Sequence, residues 1–149
     1  LQGFIPIQFR WVAKKSLFKI PIIGWSMSLA GYVSIDREKA GSAYKSIERA
    51  AEKVKKGASV LIFPEGTRSA AGNLLPFKRG GFLLAIKSGV PIVPVSIRGT
   101  ENLMKKESIL IRPGAVKVVI GKPIPVSDAD EKLLMEMVRK AIEEGLTAC

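Results

Sequence analysis

The sequence predicts an α/β fold, a single domain over residues 1–149 in which a largely parallel central sheet is flanked by helices. Segments typical of strands alternate along the chain with segments typical of helices, which is the order expected of an α/β protein. One strand segment, SVLIF at residues 59–63, is almost entirely apolar, as in a parallel strand that is covered on both faces. A hydrophobic fraction of 47% in 149 residues is enough to bury one core.

The first third of the chain predicts two strands separated by a broken helical segment. Residues 8–13 carry β-favouring side chains and predict a short strand. In the apolar stretch that follows, Pro21 is expected to end one short helix, and a second helix is expected to end near Gly31. Residues 32–36, YVSID, alternate in polarity and predict the second strand.

The rest of the chain continues the alternation of helices and strands. Residues 42–56 place their apolar side chains on one helical face, and Gly57 ends that helix before the SVLIF strand. The segment at residues 80–89 predicts a compact apolar helix. Two more strands follow, and then an amphipathic helix that Asp128 is expected to cap. These last elements are expected at residues 91–97, 116–121 and 128–144.

The charge balance favours an anionic partner. Lys and Arg number 24 and Asp and Glu 13, which gives a formal net charge of +11. Such a field attracts phosphate groups, acidic lipid, an acidic carrier protein or nucleic acid. Nucleic acid is disfavoured, because the chain has no recognition motif and its basic residues are not interleaved with an aromatic platform. An ordinary soluble protein that happens to be basic is the alternative.

The cysteine and histidine counts exclude several kinds of site. The chain has one cysteine, Cys149, and no histidine, so neither an internal disulfide nor a histidine–cysteine metal cluster is possible within it. Residues 20–35 form the longest uncharged stretch, which is shorter than the roughly 20 residues that a membrane span needs. We interpret this stretch as buried helix and strand with one face at a membrane surface.

The motif FPEGTRS follows directly on the SVLIF strand, where ligands of open parallel sheets bind. Gly66 allows the backbone to approach a ligand closely, and the guanidinium of Arg68 suits a phosphate or a carboxylate. Glu65 can hold that guanidinium or accept a hydrogen bond from a substrate hydroxyl. The alternative is an ordinary turn with a surface Glu–Arg pair, which would contribute little to stability.

Three further basic clusters follow strands or precede a helix. Arg37 follows YVSID, and Lys14 and Lys15 follow the first strand. Lys78 and Arg79 precede the helix at residues 80–89, and a helix N-terminus attracts anions. Taken singly, the clusters at Arg37 and at the lysine pair are more often solvated side chains. Together with the FPEGTRS motif, the clusters predict a phosphate-binding cradle.

FPEGTRS, followed by LLPFKRGGFLLAIKSGVPIVPVSIRG, resembles the 1-acylglycerol-3-phosphate acyltransferases, the lysophosphatidic acid acyltransferase family. Upstream, VAKKSLFKIPIIGWSMSLAGYVSIDR is similar to the segment that precedes the motif in that family, and the resemblance thins only after Gly121. It implies a glycerolipid acyltransferase fold and transfer of a fatty acyl group from acyl-CoA or acyl-carrier protein to lysophosphatidate. The product, phosphatidate, implies a place at the cytoplasmic face of the cell membrane.

The resemblance also implies roles for individual residues. Glu65 and Gly66 match a catalytic block of the family, which also contains Arg68. The family positions suited to binding the substrate phosphate are matched here by Arg68, Arg37 and Lys14. The positions that match the wall of the pocket are Phe63, Pro64, Thr67, Pro91 and Pro94. No metal or bound cofactor is implied, since the acyl thioester is itself a substrate.

One block of the family pattern is missing from the sequence. The first block of the family's sequence pattern is His-x-x-x-x-Asp, in which the histidine takes the proton of the acceptor hydroxyl. This chain has no histidine, starts at Leu1 and opens like the middle of a domain, so we expect an N-terminally truncated acyltransferase that is inactive as given. Glu65 is expected to be a poor substitute, since a carboxylate next to an arginine is a weak base. The alternative is a natural protein that binds anionic lipid without catalysis.

Overall fold

The computed structural model describes residues 8–35, 40–67, 73–103, 112–126 and 130–148. The chain divides into two compact units. The first lies within Leu1–Ile62 and Leu83–Val90, and the second within Phe63–Phe82 and Pro91–Cys149. Among the described residues, no helix is long and apolar enough to cross a lipid bilayer.

A parallel sheet organises the first unit. Its described strands are β1 (Phe9–Lys14), β2 (Val33–Ile35) and β3 (Ser59–Leu61). β1 is central, and both neighbours run parallel to it, with Lys14 opposite Ile35 and Trp11 opposite Leu61. Because the three strands run in one direction, their carboxyl ends lie at the same edge of the sheet.

The helices of the first unit cover this sheet as the sequence predicts. A short 3-10 helix (Lys15–Lys19) is followed by α1 (Ile23–Leu29), α2 (Ala40–Lys55) and α3 (Gly80–Ser88), which enters this unit at Leu83. The apolar face of α2 is confirmed, because its side chains form the buried core with β2 and α3. The buried core residues are Val33, Ile47, Ala50, Ala51, Val54 and Leu84.

Two expectations for the first unit are wrong. The SVLIF strand is not covered on both faces: β3 ends at Leu61, its side chains are at most half-buried, and Phe63 beyond it is 52% exposed. Within the described sheet β3 is an edge strand, so it has a pairing partner on one side. The helical part of residues 20–35 is not buried either, because α1 directs large apolar side chains to solvent. The break at Pro21 and the turn at Gly31 are confirmed.

The second unit pairs its strands in the opposite sense. Its elements are β4 (Val95–Arg98), α4 (Thr100–Leu103), β5 (Lys117–Ile120) and α5 (Glu131–Ala148). β4 and β5 are antiparallel, whereas the sequence predicted a largely parallel arrangement. β4 begins later than predicted, because Pro91 and Pro94 have no N–H to donate to a strand ladder. α4 was not predicted, since four residues carry no periodic pattern.

Helix α5 packs closely against β4. The hydroxyl of Ser96 donates a hydrogen bond to the carbonyl of Ile142 at 2.8 Å. A Cβ atom at Gly145 would clash with the Ser96 side chain, so glycine permits this approach. Leu134, fully buried, anchors the start of the helix. α5 runs to Ala148, beyond the predicted end, and the predicted cap Asp128 lies outside the described residues.

Candidate active site

The loop that follows β3 in the sequence begins with a tight turn. The N–H of Gly66 donates a hydrogen bond to the carbonyl of Phe63 at 3.1 Å. Gly66 has a φ of 71°, in the left-handed region that glycine adopts without steric cost. The predicted close approach of a ligand to the backbone at Gly66 stays a prediction. Arg68 lies outside the described residues, so its phosphate-binding role stays a prediction.

The carboxylate of Glu65 holds a second segment against this turn. Its Oε2 accepts a hydrogen bond from the N–H of Leu75 at 2.8 Å. The carbonyl of Pro64 accepts another from the N–H of Lys78, also at 2.8 Å. Residues 74–78 therefore run along the loop and are called the strap here. One carboxylate oxygen of Glu65 therefore positions the backbone of the strap at Leu75.

Arg139 of α5 binds two backbone carbonyls of the strap. Its Nη1 donates to the carbonyl of Leu75 at 3.1 Å and its Nη2 to that of Leu74 at 3.2 Å. Nε of Arg139 pairs with Glu143 at 3.0 Å, and the guanidinium lies over the ring of Phe77, 5.3 Å from its centre. Leu75 is thus held by two hydrogen bonds: its N–H donates to Glu65, and its carbonyl accepts from Arg139.

Sequence reasoning missed Arg139. In the sequence it is one basic residue on an amphipathic helix, four positions before Glu143, and such a pair is typical of a solvated helix face. Its targets are backbone carbonyls, which every residue type carries. No local signal distinguishes Arg139 from its neighbour Lys140.

The predicted pocket residues occupy different environments. Phe63, Thr67 and Pro91 are exposed and Pro64 is half-buried. Pro94 is buried, and its carbonyl accepts a hydrogen bond from the N–H of Gly121 at 2.9 Å, so it joins the β4 and β5 segments. A shallow cleft of about 370 Å³ lies elsewhere in the second unit. It is lined by Asn73, Leu74, Arg139, Glu143 and Leu146.

The guanidinium of Arg79 is exposed, but it is paired with a carboxylate and not free for a phosphate as the predicted cradle requires. Its Nε lies 2.6 Å from Oε1 of Glu131 and its Nη2 lies 2.8 Å from Oε2, which is a bidentate ion pair. The hydrogen bond from Arg79 lowers the pKa of Glu131, and the same bond raises the pKa of Arg79. The pair ties the segment before α3 to the first turn of α5, which is a structural role.

This pair predicts a pH-dependent contribution to stability. Because the pKa of Glu131 is lower in the folded state, its contribution is present at neutral pH and is lost as the pH falls below about 4. Glu131→Gln should therefore lower the urea midpoint slightly at pH 7 and have a smaller effect near pH 3. Glu136→Gln, an exposed residue of the same helix, is the control. An equal effect of Glu131→Gln at both pH values would contradict the assignment.

Lys14 and Arg37 belong to the first unit. Lys14 is the last residue of β1 and lies opposite Ile35, two positions before Arg37. The backbone position of Lys14 thus agrees with the predicted placement at a strand end. The side chain of Lys14 and the whole of Arg37 lie outside the described part of the chain, so their phosphate-binding roles stay predictions.

Comparison with known proteins identifies the family. The model of the family described as Acyltransferase matches residues 2–98, well over half of the chain. The chain belongs to the acyltransferase family. It is 45% identical over 139 residues to the 1-acyl-sn-glycerol-3-phosphate acyltransferase BAT2, chloroplastic, of Brassica napus. It is 34% identical over 131 residues to the 1-acyl-sn-glycerol-3-phosphate acyltransferase of Pseudomonas aeruginosa.

A solved acyltransferase structure has the same fold. The crystal structure of the 1-acyl-sn-glycerophosphate (LPA) acyltransferase, PlsC, from Thermotoga maritima superimposes with a TM-score of 0.80 at 33% identity. The alignment covers 94% of this chain and 56% of that one. The alignment with the Brassica acyltransferase covers 93% of this chain and 40% of that protein. The alignment with the Pseudomonas acyltransferase covers 87% of this chain and 51% of that protein. The predicted family and the predicted α/β fold are confirmed.

Proposed function

We propose that the protein containing this chain transfers a fatty acyl group from acyl-CoA or acyl-carrier protein to lysophosphatidate, forming phosphatidate in phospholipid biosynthesis. The observation that carries the proposal is the loop after β3, in which the turn FPEGT, residues 63–67, is held to the strap by Glu65. Relatives named 1-acyl-sn-glycerol-3-phosphate acyltransferase are similar over nearly the whole chain, which supports the same acceptor for this protein.

The proposed roles of the chain's residues follow the family blocks. Arg68, Arg37 and Lys14 bind the phosphate of the acceptor, since guanidinium and ammonium groups form charge-assisted hydrogen bonds with phosphate oxygens. Glu65 and Gly66 keep the loop in the conformation that the reaction needs, with Glu65 acting through the strap. The proposed pocket wall consists of Phe63, Pro64, Thr67, Pro91 and Pro94.

The proposed reaction is a direct acyl transfer. The free hydroxyl oxygen of lysophosphatidate attacks the thioester carbonyl carbon, the carbon–sulfur bond breaks, and the thiol leaves with a proton. Backbone N–H groups stabilise the oxyanion that forms on the way. A histidine is the proposed base. The 149 residues contain none, so we expect the chain by itself to be inactive. The reaction needs no metal or bound cofactor.

The proposed place of action is the cytoplasmic face of the cell membrane. Both lysophosphatidate and phosphatidate are anionic lipids that reside in a bilayer, and the net charge of +11 favours their surface. The whole protein is peripheral or is anchored through a segment that precedes these residues.

The absence of histidine supports a second candidate function, in which the protein binds anionic lipid without transferring an acyl group. The two candidates differ in the product that they form. A lipid-binding protein retains lysophosphatidate unchanged, whereas an acyltransferase consumes it together with the thioester.

An acceptor comparison tests the proposed substrate. The full-length protein is incubated with acyl-CoA or acyl-carrier protein thioester and either lysophosphatidate or the matched monoacylglycerol, which lacks the phosphate. We expect kcat/KM to favour lysophosphatidate by about 100-fold, since phosphate contributes several charge-assisted hydrogen bonds. Equal rates with both acceptors would contradict the assigned phosphate-binding role, and binding without any product would favour the lipid-binding alternative.

A further inference from the structure

The 3-10 helix and α1 form a hairpin whose large apolar side chains face solvent. Ile22 is 73% exposed, Trp25 69% and Leu29 90%, which is unusual for residues of these types. This surface is called the hairpin surface here. Its exposed large apolar side chains are Leu17, Ile20, Ile22, Ile23, Trp25 and Leu29. All six fall within 13 consecutive residues, and a concentration of exposed large apolar side chains is the kind of feature that marks an interaction site.

The hairpin is a built structure with its polar groups satisfied internally. The N–H of Gly24 donates to the carbonyl of Ile20 at 2.7 Å, and a Cβ atom at Gly24 would clash with the backbone of Phe18. The hydroxyl of Ser26 donates to the carbonyl of Ile22, and that of Ser28 to the carbonyl of Gly24, each at 2.7 Å. Both serine hydroxyls are therefore occupied within α1, which lowers the cost of placing it in a poorly hydrated environment.

The charged residues in the first 35 positions of the sequence, which include the hairpin, are of one sign. Residues 1–35 contain Arg10, Lys14, Lys15 and Lys19 and no acidic residue. Lys15 and Lys19 are exposed in the 3-10 helix, directly before the apolar side chains. A basic segment next to exposed Trp, Leu and Ile is the pattern of a segment that lies in the interface of an anionic membrane. Tryptophan in particular is enriched at that depth.

We propose that the hairpin surface docks on the surface of an anionic lipid bilayer. With seven residues α1 is about 10 Å long, so it lies in the interface and does not span the bilayer. β1 leads directly into the 3-10 helix, so docking brings the edge of the sheet that carries Lys14 to the lipid. The inference rests on the membrane part of the proposed function and names the surface that performs it. A protein partner would need acidic groups to match the same lysines.

The test uses Trp25 as a probe in the full-length protein. All other tryptophans, beginning with Trp11, are replaced by phenylalanine, and the protein is mixed with vesicles that contain brominated acyl chains. Vesicles of phosphatidylcholine with phosphatidylglycerol are compared with phosphatidylcholine alone. We expect the emission of Trp25 to shift to the blue and to be quenched strongly by the anionic vesicles and weakly by the neutral ones. A matched control carries Trp25→Phe and a single tryptophan at Leu133, which is 52% exposed on α5, and should not be quenched.

A second measurement uses vesicle binding itself. Ile22→Ser with Leu29→Ser should weaken binding to the anionic vesicles at least about tenfold, because both apolar side chains leave water on docking. The double change Leu133→Ser with Ile120→Ser replaces two apolar side chains that are about half exposed outside the hairpin, and it should leave binding unchanged.

Three results would overturn the inference: Trp25 unquenched while the protein sediments with vesicles, Trp25 shielded from acrylamide before lipid is added, or no vesicle binding. The second would show that protein covers the hairpin surface. Acyl transfer in detergent, measured on the same single-tryptophan protein, separates the two proposals. Transfer without quenching contradicts the docking surface alone, and quenching without transfer contradicts the acyltransferase proposal alone.

Discussion

Replacing Arg68 by alanine in the full-length protein is expected to lower kcat/KM for lysophosphatidate by about 10- to 100-fold. A guanidinium that donates to a phosphate oxygen forms a charge-assisted hydrogen bond, for which about 1.5–3 kcal/mol is typical. Loss of that bond leaves the acceptor phosphate without one of its proposed ligands. The same variant should use the matched monoacylglycerol as well as the unchanged protein does, because that acceptor has no phosphate to bind.

The control for Arg68→Ala is Arg112→Ala, which removes an exposed guanidinium of the second unit that has no proposed role. Rates are measured with both acceptors at several acceptor concentrations, so that kcat and KM are separated. An Arg68→Ala protein that keeps its preference for lysophosphatidate would show that the phosphate is bound elsewhere.

Arg139→Ala should release the strap from α5. The change removes the hydrogen bonds to the carbonyls of Leu74 and Leu75 and the contact with the Phe77 ring. Because the guanidinium is about one-third exposed, we expect the free energy of unfolding to fall by only about 1–2 kcal/mol. The loop that Glu65 holds through Leu75 would lose its fixed position, and kcat should fall by about 10- to 100-fold, as misplacement of about 1 Å does.

The neighbouring residue supplies the matched control. Lys140 is exposed on the same helix, so Lys140→Ala should change neither stability nor kcat appreciably. Arg139→Lys keeps the charge but not the two-carbonyl geometry, so it should recover stability more than kcat. If Arg139→Ala lowered the urea midpoint and left kcat and KM unchanged, Arg139 would be a structural residue without a positioning role.

The elements with a clear residue pattern could be predicted from the sequence. The apolar face of α2 identifies it as a helix, and the β-favouring side chains of β1 and β2 identify them as strands. Pro21 and Gly31 mark the break and the end of the hairpin. The antiparallel pairing of β4 with β5 could not be predicted. Strand direction depends on how the chain turns between them, and an apolar run looks the same in either direction.

The candidate site also has a part that could be predicted from the sequence and a part that could not. The FPEGTRS motif identifies the loop, because a glycine and a guanidinium at a strand end have a specific chemical use. The strap could not be predicted, since its contacts use backbone N–H and carbonyl groups that have no sequence signature. Arg79 was assigned to the phosphate on its position before a helix, yet its partner Glu131 is 52 residues away in the sequence.

The exposure of α1 was predicted only in part, because one face was expected at a membrane surface and the rest of the helix was expected to be buried. An uncharged stretch such as residues 20–35 fits a buried helix as well as a helix at a lipid surface. The distinction depends on what packs against it, which hydrophobicity alone does not determine.

The most direct test of the acyltransferase assignment is product formation by the full-length protein. Lysophosphatidate with an isotopically labelled glycerol and a fatty acyl thioester are incubated with the purified protein, and the lipids are analysed by mass spectrometry. We expect labelled phosphatidate that carries the donor's acyl chain, formed in proportion to the protein added. Binding of labelled lysophosphatidate without phosphatidate from either acyl-CoA or acyl-carrier protein thioester would contradict the acyltransferase assignment.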